Sequence, residues 1–205
     1  MNLKNLFSAA AAASILLLAA CGDDEKPKPK QEFTFGDQTI SLKDANIFID
    51  YNGTFNGTHV YRDYYITDGA ANGSGATYYI EFELAVPEGE QISEGEYPTF
   101  YNWSSASETS NIGYVYAESG EDNQYVEIDL LEDADGSDKI VVSGGVDDGE
   151  TMTVKFNGDV SYYYFDGTNW VTETVAGKFY AKGVVEDVSS VPTRKRKTIP
   201  GGAAE

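Results

Sequence analysis

Histidine and cysteine, which often serve as catalytic bases, nucleophiles and metal ligands, each occur once in this chain of 205 residues. His59 has no second histidine with which to share a zinc ion. The chain also has no Gly-x-Ser-x-Gly turn that would supply the nucleophile of a triad. We therefore expect His59 to be an exposed strand or loop residue. The sequence predicts no catalytic residue, no metal site and no cofactor, and indicates a protein that is not an enzyme.

Carboxylates are concentrated between Glu132 and Asp138, where four acids fall within seven residues. Calcium takes about six to eight oxygen ligands and suits such loops. The spacing differs from the EF-hand pattern, however. Because Leu130 and Ile140 begin apolar segments on either side, we interpret this segment as the solvated loop of a β-hairpin.

Two tryptophans are the candidate ligand-binding residues. Trp103 lies in a polar segment with little strand character, and Trp170 follows an Asp-Gly pair. Exposed rings stack on sugars or on partner proteins, whereas rings in an all-β domain also pack over sheet faces and cross-strand neighbours. We assign Trp103 and Trp170 to the binding of a carbohydrate, a protein or a small apolar ligand.

Cys21 ends an apolar run that begins at Phe7 and is preceded by Lys4. A basic start, an apolar stretch and small residues before a cut are typical of a secretory signal. The run is shorter than the roughly 20 residues of a transmembrane helix. Leu18-Ala19-Ala20-Cys21 resembles the lipobox of bacterial lipoproteins. The resemblance implies removal of residues 1–20 and acylation of Cys21, which would attach the protein to a membrane. A secreted protein with a free thiol is the alternative.

The residues after the cysteine are similar to the export signal of surface lipoproteins from one phylum of Gram-negative bacteria. They are Gly22, Asp23, Asp24, Glu25 and Lys26. The resemblance implies location at the outer membrane with the protein facing the cell exterior, and an ordinary acidic linker is the alternative. Lysine then alternates with proline through residue 30, which favours an extended spacer. Residues 21–32 are thus predicted to be an acylated tether.

The remaining chain is predicted to contain one β-domain, residues 33–190, and a disordered basic tail, residues 191–205. The formal net charge of the whole chain is −20. So acidic a surface repels the phosphate backbone, which excludes nucleic acid as a partner.

Apolar and polar residues alternate with a period of two over residues 78–86, 126–130 and 152–156. This period is typical of half-buried strands. Pairs of Asn or Asp with Gly separate such segments, and Asn157-Gly158 and Asp166-Gly167 are predicted to be hairpin turns. About ten short strands favour an antiparallel β-sandwich, with a lipocalin-like β-barrel as the alternative.

The β-domain also resembles small β-rich surface lipoproteins of the same phylum. Ile92-Ser93-Glu94-Gly95-Glu96-Tyr97 is similar to their Gly-x-Tyr entry into a strand, and residues 151–156 and 175–183 look like their last strands. The resemblance implies fold and location but supplies no catalytic residues. We expect a surface-exposed lipoprotein with a non-catalytic ligand- or partner-binding domain. A structural or adhesive surface component is the alternative, and a hydrolase, which needs paired carboxylates in a cleft, is the least favoured.

Overall fold

The computed structural model describes residues 29–43, 45–70, 76–120 and 125–188. The lipobox with Cys21, the acidic residues that follow it and the basic tail all lie outside the described residues. Within the described ranges, no helix is long and apolar enough to cross a membrane.

Eleven strands and one turn of 3-10 helix, Trp103–Ser105, form the described part of the chain. The prediction of an antiparallel all-β domain with about ten strands is confirmed. The strands are β1 (Glu32–Phe35), β2 (Gln38–Ser41), β3 (Asn46–Phe55), β4 (His59–Thr67), β5 (Tyr78–Pro87), β6 (Gly95–Phe100), β7 (Ile112–Ser119), β8 (Val126–Leu130), β9 (Asp135–Gly144), β10 (Thr151–Phe165) and β11 (Trp170–Asp187).

The strands pair into one sheet whose hydrogen bonding closes on itself. From β11 the pairing passes through β3, β4, β5, β7, β6, β9 and β10, and returns to β11. Two of these pairings, β3 with β11 and β6 with β7, are parallel, and the others are antiparallel. Closure leaves few unpaired strand edges, as in barrel-like folds.

Aromatic rings fill the interior of this closed sheet. Tyr64 stacks on Phe82 with their ring centroids 5.0 Å apart. Phe179 contacts Phe33, Phe82 and Phe156 at centroid distances of 5.8, 6.3 and 5.9 Å. All five side chains are buried. Since large rings dominate the burial of apolar surface in a core, this packing stabilises the domain and leaves its mouth and outer face as places for a ligand.

The alternation predicted for residues 78–86 is confirmed in β5. Tyr78, Ile80, Phe82, Leu84 and Val86 all point into the core. Consecutive aromatic residues also cover both faces of the sheet, as on β4, where the residue after Tyr64 is Tyr65. The Tyr65 ring lies outside the barrel and stacks on Phe48 and Tyr79. Period two therefore positions rings on both surfaces.

The predicted hairpin around residues 132–138 is wrong. Strands β8 and β9 do not pair with each other; they lie one after the other along the same edge of β10. Leu130 pairs with Val160, and Lys139 pairs with Asn157. Because β10 has 15 residues, it is long enough to hold both shorter strands. The acidic segment therefore bridges two collinear strands.

The predicted turn at Asn157-Gly158 is also wrong, because both residues lie inside β10. Gly158 lies between Asn157, which pairs with Lys139 of β9, and Val160, which pairs with Leu130 of β8. Asp138 accepts a hydrogen bond from the backbone N–H of Asp159 at 3.3 Å. A Cβ on Gly158 would lie 2.5 Å from the Asp138 carboxylate. The glycine here accommodates the close approach of the Asp138 side chain and does not form a turn.

The predicted turn at Asp166-Gly167 is confirmed, since it joins β10 to β11. Asp166 accepts hydrogen bonds from the backbone N–H groups of Thr168 and Asn169 at 2.7 and 2.8 Å. These donors lower the pKa of Asp166. The carboxylate thus fixes the turn that precedes Trp170.

Candidate ligand-binding cleft

Trp103 is held by a short capped helix on the outside of the β3–β4 hairpin. The Asn102 side chain accepts hydrogen bonds from the backbone N–H and the hydroxyl of Ser104, at 3.0 and 2.6 Å. Asn102 thereby caps the 3-10 turn that begins at Trp103. The indole packs edge-on against Phe55 and Tyr61, with centroid distances of 5.3 and 5.5 Å.

The hairpin itself turns at Asn56 and Gly57, which have φ values of 51° and 67°. Positive φ at both central residues is the geometry of a type I′ turn and explains the Asn-Gly pair. The other Asn-Gly pair of this hairpin, Asn52-Gly53, has the composition of a turn but lies within β3. Its glycine has a different role, which is to make room for aromatic rings.

Tyr51 and Tyr61 lie across Gly53. Their ring centroids are 5.8 Å apart. A Cβ at position 53 would lie 2.5 Å from Cε1 of Tyr51 and 2.8 Å from Cε1 of Tyr61. With Phe55 and Trp103, these rings form a continuous set that we call the aromatic ledge. Tyr51 is 52% exposed, so the ledge reaches solvent.

A cleft of about 480 Å³ borders the aromatic ledge. Tyr61 belongs to both. Polar and charged side chains from three parts of the chain surround an apolar patch in this cleft. The lining residues come from β3 (Asn52, Gly53, Thr54), from β4 (Val60, Tyr61, Arg62), from the segment after β5 (Glu90, Gln91, Ile92) and from Asp147 between β9 and β10.

Arg62 organises the polar wall of the cleft. Its Nε donates to the Asn52 side chain at 2.7 Å, and one terminal nitrogen donates to Asp147 at 2.8 Å and to the Val146 carbonyl at 3.1 Å. Partial burial opposes its charge, but Tyr64 and Asp147 raise the pKa of the guanidinium overall. Arg62 therefore stays charged and joins the hairpin to the β9–β10 loop.

Tyr64 supports Arg62 from the core side of the cleft. The Tyr64 hydroxyl donates to the Val146 carbonyl at 3.0 Å and accepts from Arg62 at 3.2 Å. Burial raises the pKa of Tyr64 to about 12, although Arg62 acts in the opposite direction. Arg62 and Tyr64 thus both donate to the carbonyl of Val146, the residue before Asp147 of the cleft wall.

The expectation that His59 is exposed is wrong, because the side chain is only 3% exposed. Its Nε2 lies 3.0 Å from the Ser110 carbonyl, and its Nδ1 lies 3.0 Å from the Thr58 hydroxyl. Since a carbonyl only accepts, Nε2 carries a proton. His59 therefore fastens the segment that follows Trp103 to the start of β4, and it positions the aromatic ledge from below.

Trp170 belongs to a separate aromatic cluster at the β10–β11 turn. It stacks on Tyr163 with centroids 5.0 Å apart and contacts Phe165 and Tyr125 at 5.4 and 6.4 Å. The indole is 42% exposed. The structure thus does not bring the two candidate tryptophans together. Trp103 adjoins the cleft, whereas Trp170 covers the outer face of β8, β10 and β11.

Metal-ligating side chains do not converge in the part of the chain that the structure describes: it contains no group of three or more His, Cys, Asp or Glu residues arranged to hold an ion. The acidic segment of residues 132–138 is instead used locally. Asp135 accepts from the backbone N–H of Ser137 at 3.1 Å.

Sequence reasoning missed Arg62 and Tyr51 as residues of the site. Arg62 carried a signal, since it is the one arginine between residues 33 and 190 of a strongly acidic chain. Tyr51 carried none, because its position over Gly53 follows from a β-bulge after Ile49 that shifts the register of β3 against β4.

Comparison of the chain with protein-family models, with curated proteins and with solved structures gives no match.

Proposed function

We propose that this protein is a non-catalytic, surface-exposed lipoprotein whose β-domain binds a carbohydrate in the cleft beside the aromatic ledge. The observation that carries the proposal is the position of Tyr61, which lines the cleft and contacts both Tyr51 and Trp103. Through Tyr61, the aromatic ledge lies directly beside the hydrogen-bonding side chains of the cleft.

Sugar rings present apolar C–H faces and many hydroxyls, so their sites combine both kinds of surface. Here the aromatic ledge offers the apolar contact. Asn52, Glu90 and Gln91 offer donors and acceptors that can fix orientation. A small apolar ligand suits the site less well, because charged Arg62 and Asp147 form one wall, and because side chains fill the barrel interior.

A hydrolase would need two carboxylates on either side of the bond that is cleaved. The cleft contains Glu90 and Asp147, and the Asp147 carboxylate already accepts from Arg62 at 2.8 Å. This pairing favours a binding role for Asp147. Incubation of a bound glycan with the protein should therefore return it uncleaved by mass spectrometry.

The two tryptophans provide a matched test of the site. A glycan array identifies a ligand, and calorimetry then measures its affinity for the wild type, Trp103→Ala and Trp170→Ala. We expect Trp103→Ala to weaken binding at least tenfold. The indole packs against both Phe55 and Tyr61, and each aromatic contact contributes about 1 kcal/mol. Trp170→Ala should bind like the wild type. The reverse pattern, or equal affinities in both variants, would exclude the cleft.

The anchor rests on the sequence Leu18-Ala19-Ala20-Cys21. Metabolic labelling with a fatty-acid analogue should modify the wild type and not Cys21→Ser. Protease treatment of intact cells should remove the protein if it faces the exterior. A labelled protein that resists the protease would retain the anchor and contradict the surface location.

A further inference from the structure

Positive charge is concentrated on one face of this acidic protein. Four of the seven lysine and arginine residues in the described ranges lie on the outer surface of β9, β10 and β11; they are Lys139, Lys155, Lys178 and Lys182. We call this surface the basic face. Over residues 139–143, 151–157 and 178–184, the outward-facing positions include no acid.

Strand register explains why these lysines meet. On the core side, Ile140, Val154 and Phe179 are buried, so the residues next to them point outward. Asn157 pairs with Lys139 on one side and with Lys178 on the other. In the next row, Lys155 pairs with Tyr180.

The basic face contains a cavity of about 460 Å³. Its polar lining residues are Lys139, Lys155, Lys178, Asn157 and Tyr180, and its apolar ones are Pro29, Val141, Phe156 and Phe179. The Lys155 ammonium lies 5.6 Å from the centre of the Tyr180 ring, which holds it over the cavity wall. A concave site bordered by three lysines, an amide and a phenol over an apolar base is suited to an anion.

The charges of this site are only partly neutralised. Lys139 forms an ion pair with Glu96 at 2.5 Å. Among the described residues, Lys155 and Lys178 have no carboxylate within ion-pair distance. The chain has a net charge of −20, so most of its surface repels anions. Two such lysines in one cavity provide a local site that attracts them.

We propose that the basic face binds a phosphate group, carried either by an anionic lipid headgroup or by a soluble ligand. Pro29, eight residues after Cys21, also lines the cavity. If Cys21 is acylated as proposed, the site lies at the root of the tether, within reach of bilayer phosphates. The soluble source does not depend on that anchor, so the two proposals can fail separately.

Two probes distinguish the sources, both used with the full chain carrying Cys21→Ala. Inorganic pyrophosphate is titrated by calorimetry, and vesicles of phosphatidylglycerol or of phosphatidylcholine are used in flotation. The test variant carries both Lys155→Gln and Lys178→Gln. Lys43→Gln, which changes an exposed lysine elsewhere, is the control. Differences between variants cancel any contribution of the apolar N-terminus, which they all share.

Each lysine near an anionic surface strengthens binding about fivefold. We therefore expect the double variant to lose more than tenfold affinity for the phosphate probe, and Lys43→Gln to lose little. Binding of phosphatidylglycerol vesicles alone supports the site and assigns it to lipid. Binding of pyrophosphate alone supports it and assigns it to a soluble ligand. If neither probe distinguishes the double variant from Lys43→Gln, the proposal is overturned.

Discussion

Glu118 of β7 and Glu127 of β8 are register partners, and both side chains are buried, at 5% and 8% exposure. The hydroxyls of Tyr116 and Tyr125 lie 2.9–3.4 Å from Oε2 of these two carboxyl groups. Burial, followed by the contact between the two phenols and the nearby carboxylates, raises the pKa of Tyr116. Two acids therefore share two phenol donors beneath the outer aromatic cluster.

Replacing one of these acids with its amide should stabilise the domain. Like charges directly opposite each other in a sheet are destabilising by up to about 1 kcal/mol. We expect Glu127→Gln to raise the melting temperature by about 3 °C. The exposed Glu186→Gln removes the same charge elsewhere and serves as the control in calorimetric melts. A gain no larger than that of the control would contradict the expected repulsion.

Removing a phenol donor from the same pair should have the opposite effect. Tyr125→Phe leaves buried carboxyl oxygens with fewer donors, which costs about 1–3 kcal/mol. Urea denaturation should show this loss of unfolding free energy. An unchanged midpoint would mean that the Tyr125 hydroxyl does not stabilise the pair.

Alkaline pH should destabilise the fold through Tyr64, which supports Arg62. The pKa of Tyr64 is raised to about 12 in the fold, so folding favours the protonated phenol. This contribution, about 3 kcal/mol for a shift of about two pH units, is complete below about pH 10. It is lost as the pH rises through about 12. Between pH 9 and pH 11.5, the free energy of unfolding should therefore fall less in Tyr64→Phe than in the wild type. The exposed Tyr51→Phe is the control and should fall like the wild type.

Gly53→Ala should damage the aromatic ledge while preserving the fold. The added Cβ displaces Tyr51 and Tyr61, whose rings are the nearest atoms at 2.5 and 2.8 Å. Because Tyr51 is largely exposed and its ring can move, we expect a loss of about 1 kcal/mol in stability, at the low end for overpacking. Affinity for a glycan ligand should fall at least tenfold by calorimetry. Wild-type affinity would show that ligand does not use the ledge.

His59→Phe should loosen the segment that carries Trp103. It leaves the Ser110 carbonyl without its donor, at a cost of about 1–3 kcal/mol. Thr58→Val removes the hydroxyl contacts with Nδ1 and with the Phe55 carbonyl but keeps the His59–Ser110 hydrogen bond, so its effect on this segment should be smaller. Acrylamide quenching in a Trp170→Phe background reports on Trp103 alone. We expect stronger quenching in His59→Phe, and equal quenching in both variants would argue against this role of His59.

The fold class could be predicted because a period of two is a local property, as β5 shows. Features set by distant partners could not. Asn157-Gly158 has the composition of a turn, yet it lies inside β10, where the glycine makes room for the Asp138 side chain. His59 is buried because Ser110 covers it, and nothing near His59 in sequence indicates that contact. In the candidate site, the sequence indicates Trp103 as a ligand-binding residue. It does not indicate Tyr51, whose position depends on the register of β3 against β4.

The pairing that closes the sheet joins Ile47 to Val185, near opposite ends of the domain. Closure therefore has to wait for nearly the whole domain to be available, since the last strand supplies three partners of β3. Pairings so distant in sequence form slowly. During synthesis, the edge of β3 that pairs with β11 stays open until the final strand is made. The order of residues along the chain thus delays completion of the barrel.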